Sequence, residues 1–107
     1  MARIAALVPD LFFASKVDAM LRAAGHEVIA VEDAAAAEAG GAEVIVADLG
    51  AIATDQLAEA KVPVLGFYPH TDVELRARAD AAGIDRVVPR SKAARELPAL
   101  VAALLKG

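Results

Sequence analysis

The run VIVADLG, residues 44–50, drives three branched apolar side chains toward a core and then stops at a carboxylate, Asp48. Two kinds of chemistry are open to an acid so placed. It can accept hydrogen bonds from the turn that follows, or pair with a guanidinium such as Arg90, both ordinary structural roles. It can also act as a nucleophile or metal ligand where further polar groups converge on it. Other apolar runs end in the same way. IAALV (4–8) leads to Pro9 and Asp10, VPVLGF (62–67) to Tyr68, Pro69 and His70, and VV (87–88) to Pro89 and Arg90. His70 has no second His or Cys near it in sequence, so a surface loop is its expected place. His26 precedes the run VIAV (28–31) and belongs at the opposite end of the strands. Cysteine is absent, which removes disulfides, thiolate chemistry and the usual structural zinc sites. No Ser-His-Asp order, glycine-rich phosphate loop or cobalamin-type DxHxxG motif occurs, so enzymatic turnover is not expected.

For these groups to meet, the apolar runs must be strands of one sheet, and the stretches between them carry helix signals. Asp10 can cap a helix whose stripe is Phe13, Val17, Met20, Leu21 and Ala24, with Gly25 as its stop. Helical geometry turns only one of the adjacent phenylalanines inward. Phe13 is the expected core residue, leaving Phe12 as packing, a cover for the crevice or a partner contact. Asp33 can cap AAAAEA, which Gly40 and Gly41 end, and residues 51–60 form a short stretch anchored by Ile52 and Leu57. Thr71 and Glu74 make a capping box for a helix ending near Gly83. In the last segment Pro98 conflicts with a helix interior, and a start near Arg95 puts it in the first turn, where its missing N–H costs nothing. Leu97, Leu100, Val101, Leu104 and Leu105 then form the buried face up to Lys106. Strands that are apolar throughout, alternating with helices, imply a parallel sheet covered on both faces: a three-layer α/β/α sandwich. In such sheets ligands collect beyond the carboxyl ends of the strands, where Asp48 should emerge.

Composition fits one domain spanning residues 1–107, with 58% apolar residues, although 28 of the 107 are alanines that bury little surface each. No apolar run approaches the ~20 residues of a bilayer span and no signal-peptide pattern opens the chain, so a soluble, cytoplasmic protein is expected, with no membrane role. The net charge is −4. Residues 1–62 hold four basic and ten acidic side chains, residues 63–107 seven basic and five acidic. Arg76, Arg78, Arg86, Arg90, Lys92 and Arg95 form the basic concentration, either an ordinary solvated surface or a docking patch for an acidic partner. Nucleic acid is not an expected partner, because no recognition motif appears and the balance is acidic.

With these pieces assembled, the whole chain resembles the receiver domain of bacterial two-component response regulators. The matching features are the five βα units, the acid after the first strand, EVIVAD ending the third, PVLGF in the fourth and GIDRVV leading into the fifth. The resemblance implies a flavodoxin-like (βα)5 fold with sheet order 2-1-3-4-5. It places Asp48 at the phosphoacceptor position and Asp10 at one of a pair of acids that, with Asp48, would hold Mg²⁺. The second acid of the pair is replaced by Pro9. Tyr68 stands at the small-hydroxyl switch position, Arg90 at the position of a phosphate-contacting Lys, and Ser91 at that of the Pro after it. A site with one carboxylate fewer should bind Mg²⁺ poorly, and a guanidinium is a planar fork where a Lys supplies a point charge. The expectation is therefore a stand-alone, receiver-like signalling domain, a pseudo-receiver acting by protein contact without efficient aspartyl phosphorylation and with no bound cofactor. The face made by the fourth helix, fifth strand and fifth helix would meet a sensor kinase, an effector or a second copy, with Arg76, Arg86, Lys92 and Arg95 as its contacts. The alternatives are a phosphorylatable single-domain response regulator using Asp48, Asp10 and Mg²⁺, and a flavodoxin-like binder of a small ligand in the same crevice.

Overall fold

A computed structural model describes residues 2–69 and 72–106. Five strands, β1 (Arg3–Leu7), β2 (Glu27–Ala30), β3 (Val44–Asp48), β4 (Val64–Tyr68) and β5 (Arg86–Pro89), alternate with five helices. These are α1 (Leu11–Ala23), α2 (Ala34–Ala39), α3 (Thr54–Ala58), α4 (Val73–Ala81) and α5 (Arg90–Lys106). The sheet is parallel throughout, in the order β2-β1-β3-β4-β5. Every residue of β3 and β4 is buried, whereas β2 and β5, at the two edges, expose their first residues. That gradient is why the central runs read as continuous apolar blocks.

Alternation along the strands sorts the core into two layers. Ile4, Ala6, Val44, Val46, Leu65, Phe67 and Val88 pack with Phe13, Val17 and Leu21 of α1 and Leu97, Leu100 and Val101 of α5. On the other face Leu7, Ile45, Val64 and Tyr68 pack with Ala34 and Ala37 of α2, Leu57 of α3 and Leu75 and Ala79 of α4. The alanine face of α2 lets its C-terminus come so near the sheet that a Cβ on Gly40 would lie 2.7 Å from Ile29 Cδ1. At Gly66, in β4, a Cβ would lie 2.7 Å from Leu49 Cδ1, so the residue after Asp48 can fold across the sheet only because Gly66 carries no side chain.

Asp10 and Asp33 cap α1 and α2 as expected, accepting from Phe12 and Phe13 N–H and from Ala36 N–H respectively. Phe13 is buried and Phe12 exposed. Several expectations about the helices need correction, among them Ala24, which the stripe of α1 was expected to include and which is exposed as its C-cap. The cap of α4 is Asp72, whose carboxylate accepts the Leu75 N–H at 3.0 Å; Thr71, with His70, lies outside the described residues. The helix proper of residues 51–60 is confined to Thr54–Ala58. And α5 begins at Arg90, not near Arg95, so Pro98 lies inside it. Its buried stripe already includes Ala93 one turn before Leu97, and burial of that first stretch outweighs the hydrogen bond the proline cannot make. Leu105 is exposed, since Leu97, Leu100 and Val101 with the partly buried Leu104 already fill the face toward α1 and the sheet.

Candidate functional site

The carboxyl edge of the sheet brings part of the expected constellation together. Asp48 is the last residue of β3 and, at 8% exposure, the single charged residue among the buried ones described. It pairs in register with Phe67 of β4, and strand alternation turns it toward the α1/α5 layer with Val44 and Val46. One carboxylate oxygen, Oδ1, accepts the Gly50 N–H at 2.9 Å, the turn-capping role open to any acid at a strand end. The Asp48 carbonyl accepts from Ala51 and Ile52 N–H at 3.0 and 2.8 Å, which fixes the loop leaving β3.

Arg90 does not pair with Asp48. Its Nη2 donates to Asp10 Oδ2 at 2.8 Å, joining the N-cap of α1 to the first residue of α5 over the top of the sheet. The guanidinium carbon also sits 4.3 Å from the Phe13 ring centroid and 5.8 Å from that of Phe67. Those two rings lie 4.8 Å apart at 51°. A cation over such faces gains about 0.5–1 kcal/mol at exposed sites. The planar head is thus held by an aromatic bed below and a carboxylate at its end. A lysine point charge would match neither contact as well. The Arg90 hydrogen bond, with the Phe13 and Phe12 N–H groups, holds the Asp10 carboxyl below its ordinary range.

Tyr68 belongs to the other layer. Its ring packs among the α2/α3/α4 residues, and its hydroxyl accepts from Arg76 Nη1 of α4 at 3.3 Å. Asp10 and Arg90 therefore form one contact and Asp48 shares their face, while Tyr68 points through the sheet toward α4. Ser91 follows in α5, where its carbonyl accepts from Arg95 Nε at 3.3 Å. Sequence reasoning identified Phe13 and the strand containing Phe67 only as core; their joint role as a bed for Arg90 emerges from three elements meeting.

A receiver-type Mg²⁺ takes about six oxygen ligands in a tight octahedron, and on this face Asp10 and Asp48 are the carboxylates that could contribute to it, with Pro9 in place of a second acid after β1. Among the described residues no three His, Cys, Asp or Glu side chains gather where they could hold a metal. Asp10 already accepts from two backbone amides and a guanidinium, and Asp48 from Gly50.

Along the free edge of β5 a groove of about 440 Å³ is lined by Arg76 and Asp80 of α4, by Arg86 and its strand neighbours, and by Lys92 of α5. Asp80 pairs loosely with Arg76 at 3.7 Å, and Asp85 Oδ1 is taken by the Val64 N–H. Arg86 and Lys92 have no ion-pair partner among the described residues. Arg95 lies further along α5, outside this groove.

No family model and no curated protein matches the sequence. Solved structures do. NtrX from Brucella abortus superposes with a TM-score of 0.82 at 20% identity, over 98% of this chain and 27% of that one. This chain therefore spans about a quarter of the length of NtrX. A response-regulator receiver domain from Clostridium thermocellum gives 0.82 at 16% identity, covering 99% of this chain and 95% of its own. The receiver domain of the sensor histidine kinase PA1611 from Pseudomonas aeruginosa, with a magnesium ion coordinated in its active-site cleft, gives 0.78 at 18% identity over 99% and 98%. From β1 to α5, this chain has the fold of response-regulator receiver domains.

Proposed function

We propose that the chain is a receiver-like signalling domain that works through protein–protein contacts, without turnover and without efficient phosphorylation of Asp48. The observation that carries this reading is the Asp10–Arg90 pair at 2.8 Å. It commits to each other the two groups that a phosphorylatable receiver would direct at metal and phosphoryl oxygens. Magnesium, which the PA1611 receiver holds in its cleft, meets here an Asp10 already bonded three times and a proline in place of a second acid. The Tyr68 hydroxyl, bonded to Arg76 in the other layer, is likewise occupied. The surface offered to a partner is the α4–β5–α5 face, where Arg86 and Lys92, without an ion-pair partner among the described residues, present positive charge beside a groove. With Arg76, Arg86 and Lys92 set against Asp80 and Asp85, the lining keeps an excess of positive charge, which favours encounter with an acidic partner. A sensor kinase, an effector or a second copy of this chain would dock there.

Incubation with a small acyl phosphate and Mg²⁺, read by intact mass, tests the reading. Unchanged mass is expected. A stoichiometric gain of one phosphoryl group that disappears in Asp48→Asn would restore the phosphorylatable alternative.

A further inference from the structure

A strand at the edge of a sheet carries backbone groups with no neighbour to pair with, and such a row invites pairing with another chain. The two edges of this sheet, β2 and β5, are closed differently. The Val64 N–H turns toward β5, where Asp85 takes it, so alternation turns Tyr68 the same way and leaves its register partner Pro89 facing outward. Proline at such a position removes an outward donor, and the exposed Arg86 adds charge to the same strand. β2 has neither device. Its run VIAV (28–31) is β-branched at every position but Ala30 and contains no proline, glycine or charge. Glu27 and Val31 donate their N–H groups to the Ala2 and Ala6 carbonyls, so alternation turns the N–H and C=O groups of Val28 and Ala30 to the free side. One of those groups is occupied. Arg22, in the last turn of α1, donates from Nη2 to the Val28 carbonyl at 3.0 Å, the one side-chain hydrogen bond to the backbone of β2 among the described residues. Its Nε donates to Asp18 Oδ1 and Oδ2 at 2.9 and 3.0 Å, which holds the guanidinium in that direction.

We infer that Arg22 is an autoinhibitory contact that keeps the free edge of β2 closed to the β2 strand of a second copy of this chain. The edge is matched to itself. Two β2 strands set antiparallel about a two-fold axis through Ile29 place Val28 of each opposite Ala30 of the other, and residues so paired exchange both N–H···O bonds. The Val28 carbonyl is the acceptor such a pair requires, and Arg22 already occupies it. The guanidinium also fills the space beside the strand, which an added strand would have to enter to about 4.8 Å. Two guanidinium groups brought together across the axis would repel as well. With Arg22 withdrawn, a short apolar edge with no other protection stands open. This edge lies at the far side of the sheet from β5, so the inference holds or fails independently of the role proposed for the β5 groove.

The test follows amide hydrogen exchange of the full chain at a low and a high protein concentration, with sedimentation equilibrium alongside. In the wild type the Val28 and Ala30 amides should exchange at a rate that does not depend on concentration. In Arg22→Ala the same two amides should exchange about tenfold more slowly at the higher concentration, together with a rise in sedimenting mass. Asp18→Ala leaves the guanidinium untethered and should show the same slowing to a smaller degree. Ala30→Lys, added to Arg22→Ala, puts a charge on the exposed edge and should abolish it. A merely structural role for Arg22 would lower stability without producing protection at these two positions or rescue by the lysine. The inference is overturned if Arg22→Ala gives no concentration-dependent protection at Val28 and Ala30, if the protection falls on β5 instead, or if Ala30→Lys leaves it in place. Should Arg22→Ala fail to fold, Asp18→Ala decides by the same two amides, and an exchange rate equal to that of the wild type overturns the inference.

Discussion

Asp10 uses both oxygens of one carboxylate: Oδ1 caps α1 and Oδ2 meets Arg90. Its acidity is lowered chiefly by the Arg90 hydrogen bond. A carboxyl whose folded pKa is depressed stabilises the fold above its unfolded pKa, and that contribution disappears as pH falls through the folded value. Asp10→Asn keeps a capping oxygen and removes the charge. The variant should therefore be less stable than wild type at pH 7, with the gap closing once the pH drops below the ordinary carboxylate range. Urea unfolding at a series of pH values checks this; a gap independent of pH contradicts it. The cap was legible in the sequence, because an Asp before a helical stripe is a local signal. The guanidinium that binds it was not, since Arg90 is 80 residues away and the sequence pointed to Asp48 as its partner. Local chemistry fixes what a side chain can do, and only the folded arrangement chooses between partners of the same charge.

Among the elements, α5 departs most from expectation. Proline chemistry alone favours a start near Arg95, and the structure instead extends the helix back to Arg90 and accepts Pro98 in its interior. Ala93, Leu97, Leu100 and Val101 recur on one face, so the earlier turn is stabilised by packing on α1 and the sheet. That start also delivers Arg90 to Asp10 straight from the end of β5, with no intervening loop. Pro98→Ala should restore the missing hydrogen bond and raise stability by about 1–3 kcal/mol in denaturant unfolding. Equal or lower stability would show that the proline is fully accommodated by local distortion. A cap also moves at α4, where Asp72 takes the role that the sequence reading gave to Thr71. Helix ends read from sequence are uncertain by a residue or more.

At the scale of the molecule, sheet order and layers were readable because five apolar runs alternate with five helix signals and leave a parallel sheet few topologies. The relation of Tyr68 to the site was not, because a strand position determines its face only once the register is known, and here that face is shared with α4. Charge asymmetry was visible in the sequence, and the fold concentrates part of it on the β5 edge. Arg86→Glu combined with Arg95→Glu replaces two exposed side chains, so stability should change by no more than about 0.5 kcal/mol. If the α4–β5–α5 face mediates self-association, the wild-type chain will show concentration-dependent dimerisation by sedimentation equilibrium and the double variant will remain monomeric. Identical sedimentation of the two would remove this face from the account. The central claim, that the Asp10–Arg90 pair and its aromatic bed leave the crevice unable to take a phosphoryl group, is tested most directly by titrating beryllofluoride with Mg²⁺ and following the amide resonances of Asp48, Tyr68 and Arg90. The account predicts no saturable shift at any of the three. A saturable shift at all of them, lost in Asp48→Asn, would contradict it.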